Sequence, residues 1–119
     1  MIDLDGLKRI NDEGGHDAGD AHLKRFAADL SGAIIDPMRA YRFAGDEYAV
    51  MRPGGSHLEL RQVLDGLAAK ADVAAFSYGV ANSPGDGVDM QTVLKAADDC
   101  MYEMKERHKQ EASGRGNTG

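Results

Sequence analysis

Arg42-Phe43-Ala44-Gly45-Asp46-Glu47-Tyr48 reads as the tip of a β-hairpin. Ala40 to Phe43 before it and Tyr48 to Met51 after it have the composition of strands. Gly45 stands where a tight turn needs a residue that tolerates positive φ. Two adjacent carboxylates, Asp46 and Glu47, are thereby predicted at the end of a rigid hairpin. Hard cations such as Mg²⁺ take oxygen ligands held on a fixed frame, and a hairpin tip is such a frame. Taken alone, the stretch is better read as a solvated acidic turn.

A second acidic stretch lies at the start of the chain. Met1 to Leu4 reads as a short apolar strand carrying Asp3, with Asp5 just beyond it. Residues 3–20 are D-L-D-G-L-K-R-I-N-D-E-G-G-H-D-A-G-D. This segment resembles the signature of GGDEF-domain diguanylate cyclases, D-I-D-x-F-K-x-I-N-D-x-x-G-H-x-x-G-D. The hairpin A-G-D-E-Y is similar to their G-G-D-E-F. Further on, F-S-Y-G-V-A is similar to their I-S-x-G-I-A strand, and A-A-D-D-C-M-Y-E-M-K to their A-D-x-A-M-Y-x-A-K helix. The four motifs run in order over about residues 1–109.

The resemblance implies an α+β, palm-like fold: a mostly antiparallel sheet backed by helices in the order β-α-α-β-β-α-β-α. It implies a GGDEF-like catalytic domain over residues 1–112. It also implies the reaction, in which two GTP condense into cyclic di-GMP and pyrophosphate, with one GTP on each of two facing copies of the domain. Asp3, the Leu4 carbonyl, Asp46 and Glu47 would hold Mg²⁺ or Mn²⁺, with Asp46 and Glu47 as the catalytic carboxylates. Two such ions about 3.5–4 Å apart would activate an attacking hydroxyl and steady the leaving pyrophosphate. Gly6, Leu7 and Lys8 open a helix whose free N–H groups suit phosphate oxygens. Lys105 matches a triphosphate-binding lysine, and Lys109 matches the arginine of a K-x-x-G-R element, here Lys105-Glu106-Arg107-His108-Lys109. Asn11 and Asp20 match the base-reading pair. A carboxylate accepts from guanine N1–H and the 2-amino group together, donors that adenine lacks.

The bland reading of each residue differs. Asp5 is expected to cap the following helix, and Asn11 and Asp20 also suit helix caps. Lys8, Arg107 and Lys109 suit a solvated basic surface. Asp12 and His16 read as loop ties, and Arg42 as one half of an internal salt bridge. Departures from the family pattern are Leu7 for an aromatic, Ala44 for glycine and Lys109 for arginine. Many relatives carry an R-x-x-D product-inhibition element where this chain has Ile35, Asp36, Pro37 and Met38, so inhibition at that place is expected to be absent. Relatives usually carry a helix with the pattern D-x-L-T-G-L-x-N-R before the first strand; the chain as given begins without it.

Composition sets outer bounds. A length of 119 residues and a hydrophobic content of 42% fit one domain with one modest core. Twenty acids against 14 bases give a net charge of −6, which disfavours nucleic acid and anionic membranes as partners. A polyphosphate ligand would need a cation to enter so acidic a site. One cysteine, Cys100, excludes an internal disulfide and suits a reducing cytoplasm. No apolar run approaches the roughly 20 residues of a membrane span, and no signal peptide is seen.

Periodicity completes the outline. Leu7 and Ile10 suggest a short helix closed by Gly14-Gly15. Leu23, Phe26, Ala27, Leu30 and Ile34 form the buried stripe of a longer one, from about Ala18 to Ile34. Ser56 with Glu59 has the capping-box spacing ahead of a helix marked by Leu60, Val63, Leu64, Leu67 and Ala71. Val73 to Val80 reads as a strand. Met90, Leu94, Ala97, Met101 and Met104 line one face of a last helix as core filler. Ser113 to Gly119 is expected to be a disordered tail. Two rival functions stay open: a minimal palm cyclase making another cyclic nucleotide, and a catalytically weak GTP-binding module.

Overall fold

The structure, a computed structural model, describes residues 1–55 and 57–118. Its elements are β1 (Ile2–Leu4), α1 (Leu7–Ala33), β2 (Arg39–Ala44), β3 (Glu47–Met51), α2 (His57–Ala68), β4 (Phe76–Tyr78) and α3 (Met90–Thr118). The strands form one antiparallel sheet in the order β2-β3-β1-β4. This is the expected α+β palm-like sheet, with one difference in element order. The two expected N-terminal helices are a single α1 interrupted at Gly15, whose backbone is non-helical at φ 81° and ψ 176°.

Alternation along the short strands sorts the residues between two faces. Ile2 lies opposite Tyr48 on one side and Tyr78 on the other. Asp3 lies opposite Glu47 and Ser77. Side chains reverse face at each step, so the first set shares one face and the second set the other. The apolar set joins Leu23, Phe26 and Leu30 of α1 and Leu64 and Leu67 of α2 in the core. Phe26 sits at its centre, tilted against Tyr48 and Phe76 with ring centroids 5.3 Å apart in both pairs. The Tyr48 hydroxyl is not stranded there, because it donates to the Leu23 carbonyl at 3.0 Å.

The polar face is crossed by α3. Asp89 starts that helix by accepting from the Thr92 N–H at 2.8 Å, which holds its carboxyl below the usual range. Ala97 and Met101 are buried, whereas Met90, expected on the same stripe, is exposed. Gly79 explains how close the helix comes. A β-carbon there would lie 2.0 Å from the Ala97 carbonyl oxygen and 2.4 Å from the Met101 nitrogen. Helix and strand backbones touch because nothing stands between them.

Other expectations are revised. The strand over Val73–Val80 shrinks to Phe76–Tyr78, the part that β1 can pair. Beyond it, Gly79 still donates to the Met1 carbonyl at 3.0 Å. The Ser56 cap lies outside the described residues, and Glu59 instead takes Arg52 Nε at 2.8 Å. Among the described residues Arg42 makes no salt bridge; its Nε donates to the Gly45 carbonyl at 2.9 Å. The backbone of α3 continues through residues 113–118, the stretch composition would leave as a tail. Gly119 lies outside the described residues. Among the described residues no helix is long and apolar enough to cross a membrane.

Gly79→Ala should therefore lift α3 from the sheet and lose about 1–3 kcal/mol of stability by urea denaturation. An unchanged midpoint would show that the close approach is not needed.

Candidate functional site

The acidic site is built by sheet register. Pairing of β1 with β3 sets Asp3 beside Glu47, and the turn just before Glu47 brings Asp46. Gly45 takes φ 50° at the tip, and the Arg42–Gly45 hydrogen bond closes the turn on itself. The Leu4 N–H points to the Asp46 carbonyl at 3.5 Å, so the tip rests against the end of β1. Asp3, Asp46 and Glu47, expected to converge, do so at one edge of the sheet.

Lys105 of α3 projects into this edge. Its ammonium donates to Asp3 Oδ2 at 2.9 Å and to the Leu4 carbonyl at 3.1 Å, with Asp5 Oδ1 at 3.7 Å. Asp3 Oδ1 is buried without a hydrogen-bond partner. Burial pushes the Asp3 carboxyl above its usual range; Lys105 opposes this, and the neighbouring Asp46 adds to it. Glu47 is also pushed up, by burial first and then by Asp98, Asp3 and Asp46. The edge thus crowds carboxylates around one ammonium, a surplus of negative charge that suits a cation.

Asp5 does not cap α1. Its Oδ1 accepts from the fully buried Ser77 hydroxyl at 2.7 Å, and its Oδ2 lies 2.8 Å from His108 Nδ1. Ser77 Oγ is 3.0 Å from the same nitrogen. Ser77 already gives its proton to Asp5, and a carboxylate only accepts, so the network requires a hydrogen on His108 Nδ1. The three residues look like a hydrolase triad, but a sealed serine cannot meet a substrate. They tie α3 to the end of β1. The sequence reading missed His108 and Ser77. The available signal was spacing: His108 lies three residues after Lys105 and shares its helix face.

The remaining predicted residues lie along α1 and α3. Gly6 is the N-cap of α1 in the left-handed region at φ 72°, with no side-chain cap. The N–H groups of the first turn, at Leu7 and Lys8, have no acceptor within the helix; the Lys8 side chain is exposed. Asn11 packs so tightly on Gly19 that a β-carbon there would fall 1.7 Å from its Oδ1. Asn11 is thus brought to the segment that carries the exposed Asp20. Lys109 stays on the surface, 3.7 Å from Glu106. A groove of about 510 Å³ between β3, α2 and the start of α3 is lined by none of the predicted site residues, and it holds no part of the acidic cluster at Asp3, Asp46 and Glu47. Among the described residues no three acidic, histidine or cysteine side chains form a ready metal cage by themselves.

Known proteins place this arrangement. The family described as "Diguanylate cyclase, GGDEF domain" matches residues 1–111. The response regulator PleD of Caulobacter vibrioides is 29% identical over 97% of the chain and 27% of its own length. The cyclic di-GMP phosphodiesterase NbdA of Pseudomonas aeruginosa is 32% identical over 88% of the chain and 15% of its own length. The chain therefore spans about a quarter or less of these relatives. A crystal structure of a sensory box/GGDEF family protein from Caulobacter crescentus is similar at 35% identity and a TM-score of 0.74, over 89% of this chain and 76% of that one. Four ordered motifs, the antiparallel sheet and the family match agree: this chain belongs to the GGDEF domain family.

Proposed function

We propose that the chain is the catalytic unit of a diguanylate cyclase, joining two GTP into cyclic di-GMP with release of pyrophosphate. The observation that carries this reading is the β1–β3 register, which gathers Asp3, Asp46 and Glu47 at one edge with a buried carboxylate oxygen left unpartnered.

The residues fit a divalent cation. Asp3, the Leu4 carbonyl, Asp46 and Glu47 would hold Mg²⁺ or Mn²⁺. Mg²⁺ is usually bound by one or two carboxylates plus substrate phosphates, so it does not require a complete side-chain cage. When bound, the ion would neutralise phosphate charge and make the attacking hydroxyl more acidic. The chain's own groups do the rest. The first-turn N–H groups at Leu7 and Lys8 receive phosphate oxygens, and Lys105 adds a positive charge. Asn11 and Asp20 read the guanine edge. Glu47, its carboxyl pushed up by burial and then by Asp98, Asp3 and Asp46, would take the proton of the ribose 3′-hydroxyl. The 3′-oxygen then attacks the α-phosphorus of the GTP carried by a second copy, the bond to the β-phosphate breaks, and pyrophosphate leaves. Both copies do the same to close the ring.

The similarity to NbdA, a protein named for phosphodiesterase activity, favours a second reading: a GTP-binding module without turnover. Purified protein at high concentration, incubated with GTP and Mg²⁺, separates the two. Cyclic di-GMP and pyrophosphate should form, and Asp46→Ala should slow this by about 100-fold or more. Calorimetric GTP binding without product would select the module.

Asp20→Ala should raise the KM for GTP at least about tenfold and narrow the preference for GTP over ATP, because a site built to pair polar groups rejects an analogue lacking them. An unchanged nucleotide profile would remove Asp20 from base reading.

Asp3 and Glu47 both have raised values, so the folded protein holds more protons than the unfolded chain just above the ordinary carboxylate range. Stability from these groups is thus lost as pH rises through that window. A divalent cation relieves the repulsion once both are ionised. Saturating Mg²⁺ should raise Tm more at about pH 7.5 than at about pH 4.5. Equal shifts by differential scanning fluorimetry would argue against a carboxylate metal site.

A further inference from the structure

Lys105 holds two of the oxygens that the metal-site reading assigns to the ion. Its ammonium takes Asp3 Oδ2 at 2.9 Å and the Leu4 carbonyl at 3.1 Å, with Asp5 Oδ1 at 3.7 Å. The Asp3 carboxylate and the Leu4 carbonyl are also groups that would ligate Mg²⁺, at about 2.0–2.1 Å. An ion on those oxygens competes for the same lone pairs and repels the ammonium beside it. The ammonium does not finish the site, since Asp3 Oδ1 stays buried and unpartnered. It is a single charge held among crowded carboxylates.

We propose that Lys105 is a tethered place-holder for the divalent cation, so that metal alone binds weakly and metal and triphosphate enter as a coupled pair. The proposal rests on the metal-site reading above and assigns Lys105 a role before nucleotide arrives. A lysine has a flexible four-carbon stem, so the ammonium can leave the carboxylates without a shift of α3. Triphosphate oxygens supply its new partner, and the vacated oxygens then take the ion. Coupling of this kind is reciprocal: nucleotide raises metal affinity by the factor that metal raises nucleotide affinity. The site also gains a resting state in which its charges are paired, instead of a buried acidic cluster with no counter-charge.

Mn²⁺ binding, followed by electron paramagnetic resonance in the absence of nucleotide, tests this directly. Lys105→Met keeps the apolar stem and removes the charge. It should bind Mn²⁺ at least about tenfold more tightly than the unaltered protein, the scale expected when a charged hydrogen bond no longer competes. Lys105→Arg should stay as weak as the unaltered protein. A second measurement needs no variant: acetic anhydride labelling of Lys105, read by peptide mass spectrometry against Lys109, should rise when Mg²⁺ alone is added at a concentration that saturates the weak site. Equal Mn²⁺ affinity in Lys105→Met, or labelling unchanged by Mg²⁺, overturns the place-holder role. Absence of Mn²⁺ binding in both proteins overturns the metal site and the place-holder together. Tighter Mn²⁺ binding without cyclase activity upholds the place-holder and removes only the reaction.

Discussion

The pairing of β1 with both of its neighbours is the constraint on which the molecule depends. The strand has three residues, yet it is the central link between the β2-β3 hairpin and β4. Its two outer residues, Ile2 and Leu4, enter the core, and its middle residue faces the other way. A slip of one residue would exchange these roles, burying Asp3 among aromatic rings and exposing Ile2 and Leu4. Core packing therefore enforces the register, and the register in turn assembles the acidic edge.

The sheet divides its labour between faces. One holds Phe26, Tyr48 and Phe76 in ring contact and supplies cohesion. The other carries Asp3, Glu47 and Ser77 under α3, where charge is gathered rather than avoided. Burying charge is costly unless it is paired, and α3 supplies an ammonium at Lys105 and a hydrogen bond at His108. The helix can do this only because Gly79 lets its backbone reach the sheet. Stability and chemistry meet at that contact.

Much of this was legible in residue order. The hairpin around Gly45 and the strand around Asp3 could be read because turn chemistry and alternation are local signals. The helical stripe of Leu23, Phe26 and Leu30 could be read because its period is local too. What escaped were long-range partners. His108 reaches Asp5 across 103 positions of sequence, and no periodicity encodes such a meeting. Arg42 reads as half of a salt bridge and Glu59 as part of a capping box, but the Gly45 carbonyl takes the first and Arg52 the second. The shortness of β4 was hidden as well: Val73 to Val80 is apolar at both ends, yet only three residues find a ladder on β1.

Gly15 carries a consequence for recognition at a distance. Asn11 and Asp20 are nine positions apart, and in an unbroken helix nine steps of about 100° would leave them on opposite sides, about 13.5 Å apart along the axis. The interruption at Gly15 cancels that half-turn and lays Asn11 on Gly19, next to Asp20. If Asn11 and Asp20 read the base as proposed, discrimination between purines would hinge on one pair of dihedral angles at Gly15.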